Sequence, residues 1–139
     1  MNQLEIKFGP VTARPFWWWG ADSRGVEALS AMVAWYWGVL LLLPVRTFAA
    51  SRSYDAMAAV AAEWVWGLMI CAVALTQSLA MCGGVKFFRY PGAVLAFITW
   101  AGVAFLFGAS NPATHAVGIY SILAAFNLWV LARGPRDDG

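Results

Sequence analysis

The chain has 139 residues, of which 62% are apolar (AVILMFWYC) and only 12% charged; a water-soluble domain usually carries about 25% charged residues. Its length supports one folding unit and excludes an enzyme with a separate cofactor domain. The net charge of +2, nine Lys and Arg against seven Asp and Glu, is too small and scattered for an electrostatic footprint on DNA or RNA, so no nucleic-acid partner is expected.

A helix that crosses a bilayer needs roughly 20 apolar residues, because about 30 Å of hydrocarbon is covered at about 1.5 Å per residue. In chain order, residues 1–25 read as a tail whose run 15–19 (PFWWW) is expected to lie along the membrane surface. The first span is predicted at about residues 26–43, stopped by Pro44, which cannot continue a helix. As a cleaved signal peptide this stretch reads less well, since its flank of about 25 residues and its apolar core of about 16 are both long, although Thr47-Phe48-Ala49 has the look of a cleavage box. A polar loop follows, and its portion 53–62 (SYDAMAAVAA) predicts a short helix at the outer interface. The second span, about 64–82, ends at Gly83 and Gly84, residues suited to a left-handed helix cap. The third, about 91–109, opens on Pro91 as a first helical residue, and the fourth, about 112–132, opens on Asn111-Pro112 as cap and first residue. The fold predicted is an all-α integral membrane protein with four transmembrane helices in a single domain.

Lys7, Arg14, Arg24, Lys86, Arg89, Arg133 and Arg136 fall in the tails and second loop, whereas only Arg46 and Arg52 fall in the first loop and none in the third. This split of seven to two predicts both termini in the cytoplasm. The nine tryptophans divide likewise: Trp17, Trp18, Trp19, Trp64, Trp66 and Trp129 fit interfacial belts, while Trp35, Trp37 and Trp100 fall nearer the middle, where an indole N–H must find a protein acceptor.

Ionisable groups inside a bilayer are functional suspects by default, but none is predicted deep. Glu27 and Glu63 stand at the starts of the first and second helices, where the helix dipole favours a negative charge, and Arg133 is the matching cation at the end of the fourth. A proton- or cation-accepting role for Glu63, of the kind seen in small multidrug transporters, would require it a full turn deeper. His115, with Asp55 and Glu63 on the same side, lacks the spacing of a metal site, and no nucleophilic triad or phosphate-binding glycine loop occurs. No catalytic, cofactor or metal residues are therefore expected. Cys71 and Cys82, eleven apart in one apolar stretch, read as small buried side chains.

Helices in lipid associate through small residues and interhelical hydrogen bonds. The row Ala72, Thr76 and Ala80 is predicted as the packing face of the second span. Gln77 and Asn127, with Thr76, Ser78 and Ser121, are the candidates for hydrogen bonds between helices, or across an interface with a second copy.

The segments 41–67 and 110–130 carry a proline-ended helix, a TF-x-x-S-x-x-Y loop and an E-W-x-W-G helix start, here Pro44, Thr47, Phe48, Ser51, Tyr54, Glu63, Trp64, Trp66 and Gly67. In these features, over about half its length, the chain resembles small membrane proteins encoded in tailed-bacteriophage and prophage genomes. The resemblance implies a viral inner-membrane protein without an established activity. The functional expectation is nonenzymatic: a holin-like protein of the bacterial inner membrane that assembles with itself or with envelope components. The alternatives are a superinfection-exclusion factor or virion-complex subunit that binds a host membrane partner through the outer loop, and, behind these, a small transporter using Glu63. The outer-loop candidates are Pro44, Arg46, Thr47, Phe48, Tyr54, Asp55, Glu63, Trp64 and Trp66.

Overall fold

A computed structural model describes residues 23–82 and 86–133. Five helices follow one another: α1 (Ser23–Leu42), α2 (Asp55–Val60), α3 (Glu63–Cys82), α4 (Lys86–Ser110) and α5 (His115–Arg133), with two short 3-10 turns, Phe48–Ala50 and Arg52–Tyr54, ahead of α2. The described residues contain no strand. Four of the helices, α1, α3, α4 and α5, are long and apolar enough to cross a membrane. In hydrocarbon every backbone N–H and C=O must be satisfied internally, which a helix does within one segment. The aromatic run 15–19 and the glycines 83 and 84 lie outside the described residues.

Three helix starts differ from the sequence expectation, the first being that of α1, at Ser23 instead of about residue 26. Helix α4 begins at Lys86, so Pro91 sits inside it instead of opening it. Pro91 is the sixth residue of α4, past the four whose N–H groups have no intrahelical partner, so it removes one helical hydrogen bond near the helix start. Helix α5 begins at His115. Asn111 forms a turn, its side-chain oxygen accepting from Ala113 N (3.2 Å), and Thr114 Oγ1 accepts from Ala116 N (3.4 Å) as the cap.

The four long helices form one bundle. At one end the side chains of Glu27 and Arg89, and of Gln77 and Asn127, join the start of α1, the end of α3, the start of α4 and the end of α5. At the other end the 43–62 segment folds over the bundle. There Ser110 Oγ accepts from Ala56 N (2.8 Å), and Met57 is fully buried. Within the stretch 53–62 the helical part is α2, Asp55–Val60, and its Met57 plugs the bundle end.

Helices α1 and α3 cross most closely at Gly38 and Gly67. A Cβ at Gly38 would lie 2.6 Å from Cys71 Sγ and 3.0 Å from Cys71 N, and one at Gly67 would lie 2.9 Å from the Leu42 side chain. Only glycine allows this approach, which replaces the hydrophobic drive that lipid removes with dense van der Waals contact. The seam of α3 is consequently Trp66, Gly67, Ile70, Val73, Ala74, Gln77 and Ala80. The expected face fails at two of its three positions: Ala72 is exposed, and Thr76 is half-buried, with its hydroxyl donating to Ala72 O of its own helix (2.8 Å). Ala80 is buried on the seam as expected. A strict four-residue row from Ala72 does not follow the seam, whose register is set by the close approach at Gly67.

Around this seam Trp37, Trp100 and Tyr120 stack, with centroids 5.0 Å apart for Trp37–Tyr120 and 5.4 Å for Trp100–Tyr120. Phe107 leads from Tyr120 to Tyr54 (5.1 Å) and Phe48 (5.2 Å from Tyr54), so an aromatic column joins the bundle centre to the loop.

Candidate functional site

The most concentrated chemistry lies inside the bundle, toward the end where α1 begins. Ser30 on α1, Gln77 on α3, Trp100 on α4 and Asn127 on α5 are all buried and joined by hydrogen bonds. Ser30 Oγ accepts from Trp100 Nε1 (3.0 Å) and from Asn127 Nδ2 (3.1 Å). Asn127 Nδ2 also donates to Leu123 O one turn back (2.8 Å), which fixes the direction of the amide and turns Oδ1 toward Gln77, whose Nε2 donates to it (3.1 Å). Each long helix contributes one side chain, so the network sets helix rotation as well as contact. Gln77 Oε1 is left buried without a hydrogen bond among the described residues.

Beside this network lies an ion pair, Arg89 Nη2 donating to Glu27 Oε1 at 3.3 Å, with the Glu27 side chain 5% exposed and that of Arg89 23%. Glu27 is therefore not a first-turn residue facing the dipole. Helix α1 starts at Ser23, which moves Glu27 to the second turn, onto the buried row of Ser30, Ala31, Ala34, Trp37, Gly38 and Leu41. A buried carboxylate needs a partner, and Arg89 supplies it from the unexpected first turn of α4.

Gln77 and Asn127 thus meet within one chain. Of the mid-span tryptophans, Trp100 bonds Ser30, and Trp35 Nε1 donates to Ser78 Oγ (3.0 Å), whose hydroxyl donates to Ala74 O (2.8 Å). Trp37 is buried in the aromatic stack. Ser121 is exposed.

The second locus is the outer loop. Glu63 Oε1 accepts from Thr47 N (2.8 Å) and Oε2 from Phe48 N (3.4 Å). Glu63 therefore stands in the first turn of α3, as expected of a capping residue, but spends its carboxylate on the start of the loop's first 3-10 turn. Trp66, expected at the interface, is buried, and its Nε1 donates to Met57 O (3.1 Å), pinning α2; Trp64 is 60% exposed, as an interfacial residue would be. Pro44, Arg46 and Asp55 are exposed, and Thr47, Phe48 and Tyr54 are half-buried. Burial raises the Tyr54 phenol above its ordinary value, and the Glu63 carboxylate adds to the shift. Arg133 stacks over the Trp129 ring at 4.1 Å, and His115 is exposed.

A third feature is a groove of about 710 Å³ between α4 and α5, open on its outer side and lined by residues including Ala101, Gly108, Ser121, Ala125 and Leu128. Helix α5 is also the least covered: 17% of its span is buried in the protein, against 39% to 44% for the other three.

The Glu27–Arg89 pair and the role of Ser30 were missed from sequence. The available signal was the spacing 27, 30, 31, 34, 38, a row of small and polar residues on one face of α1. Comparisons with family models, with curated proteins and with solved structures find no match.

Proposed function

We propose that the chain is a nonenzymatic protein of the bacterial inner membrane, with both termini cytoplasmic, that acts by lateral assembly of identical copies and permeabilises the membrane as a holin does. The observation that carries this reading is the α4–α5 groove on the least covered helix. Small residues there leave room for a neighbouring helix to approach closely, the main source of association energy in lipid. The phage resemblance of the loop and helix start supports the setting, and the seven-to-two charge split supports the orientation. The test is inducible expression in a bacterium with a membrane-potential dye. Wild type depolarises the cells, while Ala125→Phe, which fills the groove from an exposed position, delays or abolishes the effect at equal expression. No depolarisation by the wild type at high expression removes the reading.

A second reading rests on the fastened outer loop, which displays Arg46 and Arg52 on a rigid base held by Glu63, Trp66 and Ser110. This is a surface suited to docking on a host membrane partner in superinfection exclusion. Expressing cells would then resist phage while adsorption stays normal, and full sensitivity would count against it. The engaged carboxylate of Glu63 favours an anchoring role over transport.

A further inference from the structure

The Thr47-Phe48-Ala49 box lies just beyond α1, which ends at Leu42, with the helix breaker Pro44 between them. An apolar helix followed by small residues at the third and first positions before a bond is the pattern that signal peptidase reads. Here that bond is Ala49–Ala50, and both alanines are exposed. Exposure alone does not make it a substrate. A protease takes its peptide as an extended strand, and the box is coiled. Thr47 has φ −63° and ψ −40°, and Phe48–Ala50 form a 3-10 turn. The N–H of the bond itself, on Ala50, donates to Thr47 O (3.1 Å). One side chain holds this turn from outside: Glu63 accepts from Thr47 N at 2.8 Å through Oε1 and from Phe48 N at 3.4 Å through Oε2. Extending the box breaks these three bonds and takes the Phe48 ring off Tyr54, on which it stacks. The next residue, Ser51, is already extended, with φ −155° and ψ 137°. The coil is thus confined to the residues that the enzyme would have to read. The clamp is also local, with Glu63 16 positions from Thr47 and every part of it between the end of α1 and the first turn of α3.

We propose that Ala49–Ala50 is a latent processing site for signal peptidase, and that the Glu63 clamp keeps it closed. This rests on the orientation proposed above, which puts the loop on the outer face, where that enzyme acts. Cleavage adds one water across the amide, its hydroxyl going to the Ala49 carbonyl carbon and its proton to the Ala50 nitrogen. Helix α1 is then joined to the bundle by noncovalent contacts alone. With α1 go Ser30 and Gly38, so the cut divides both the buried network and the helix crossing between two chains.

The full chain with a C-terminal epitope tag is expressed in a bacterium and sized by immunoblot. Wild type is expected at full length. Glu63→Ala is expected to yield, several-fold above wild type, a tagged product that N-terminal sequencing starts at Ala50. Adding Ala49→Phe, too large for the position before the bond, removes that product. Trp66→Phe loosens the loop at Met57 without touching the clamp and stays whole. Should Glu63→Ala fail to accumulate, Glu63→Asp, too short to reach both amides, is read in the same way. Wild type found cut at this bond, a product that survives Ala49→Phe, or an equal product from Trp66→Phe overturns the proposal. The side of the loop is read separately, with a membrane-impermeant maleimide on Ala58→Cys, an exposed position. A loop that the reagent reaches, with the bond whole in Glu63→Ala, overturns this proposal alone; a loop that it does not reach overturns the orientation and the proposal together.

Discussion

At Gly38 the absence of a side chain determines how near two helices come. A methyl group there meets both the Cys71 sulfur and the Cys71 backbone nitrogen, and the backbone contact cannot be relieved by a rotamer change. Gly38→Val is expected to destabilise the fold by about 1 to 3 kcal/mol, the usual range for overpacking, measured by reversible unfolding in mixed detergent micelles. Cys71→Ala on that background recovers only part of the loss, because the backbone contact remains; complete recovery would place the clash in the sulfur alone. Asn127 acts in the opposite sense, by presence. Asn127→Leu deletes its bonds to Ser30 and Gln77 and leaves a second polar group of Gln77 unpartnered, a cost of about 1 to 2 kcal/mol when interhelical bonds in lipid average about 0.6 kcal/mol each and an orphaned group adds more. Tyr54 supplies a pH dependence. Its folded-state value is raised above the ordinary 10.0, first by burial and then by Glu63. Its stabilising contribution is therefore complete below about pH 10 and is lost as pH rises through the raised folded value. Amide exchange of the loop should accelerate over that interval in the wild type and lose this step in Tyr54→Phe.

Among the elements, the loop shows how a segment without regular structure of its own becomes part of the bundle. Four fastenings hold it: Glu63 to the Thr47 and Phe48 amides, Trp66 to the Met57 carbonyl, Ser110 to the Ala56 amide, and Asn111 to the Ser53 hydroxyl. Glu63→Gln keeps the shape and removes the charge, so the amides lose a charge-assisted acceptor. Protease cleavage within 44–62 should increase several-fold in this variant while the exchange protection of α3 and α4 is unchanged. Protection lost throughout would mean that Glu63 supports the whole fold. Much of this element plan was legible. Pro44 lies two residues past the end of α1, and the stretch 53–62 holds the six-residue helix α2. The start of α4 was not legible, because Lys86, Arg89 and Pro91 resemble loop residues, and the partner of Arg89, Glu27, lies 62 positions away in sequence. The buried face of α3 was hidden for a related reason. Nearly every residue in a membrane helix is apolar, so periodicity carries little information, and the register was set by the glycine crossing.

For the molecule as a whole, an apolar exterior surrounds a mainly apolar core in which a small polar network is enclosed. Tyr36 and Phe105 are each 73% exposed, a cost in water but not against acyl chains. Hydropathy made the four spans readable, but it said nothing of the site, because Ser30, Gln77, Trp100 and Asn127 are separated by up to 97 positions and acquire meaning only when the helices are placed side by side. Helix α5 is covered least by its neighbours and yet brings Asn127, which quenches polar atoms on both α1 and α3. During synthesis it is the last of the four to leave the ribosome. Until it arrives, Gln77 Nε2 lacks its acceptor and Ser30 Oγ keeps only its bond from Trp100, so the three-helix intermediate leaves an amide unsatisfied in hydrocarbon. A chain stopped after residue 110 should accordingly insert and then be degraded rapidly, and supplying α5 as a separate peptide should lengthen its lifetime, provided that peptide keeps its asparagine.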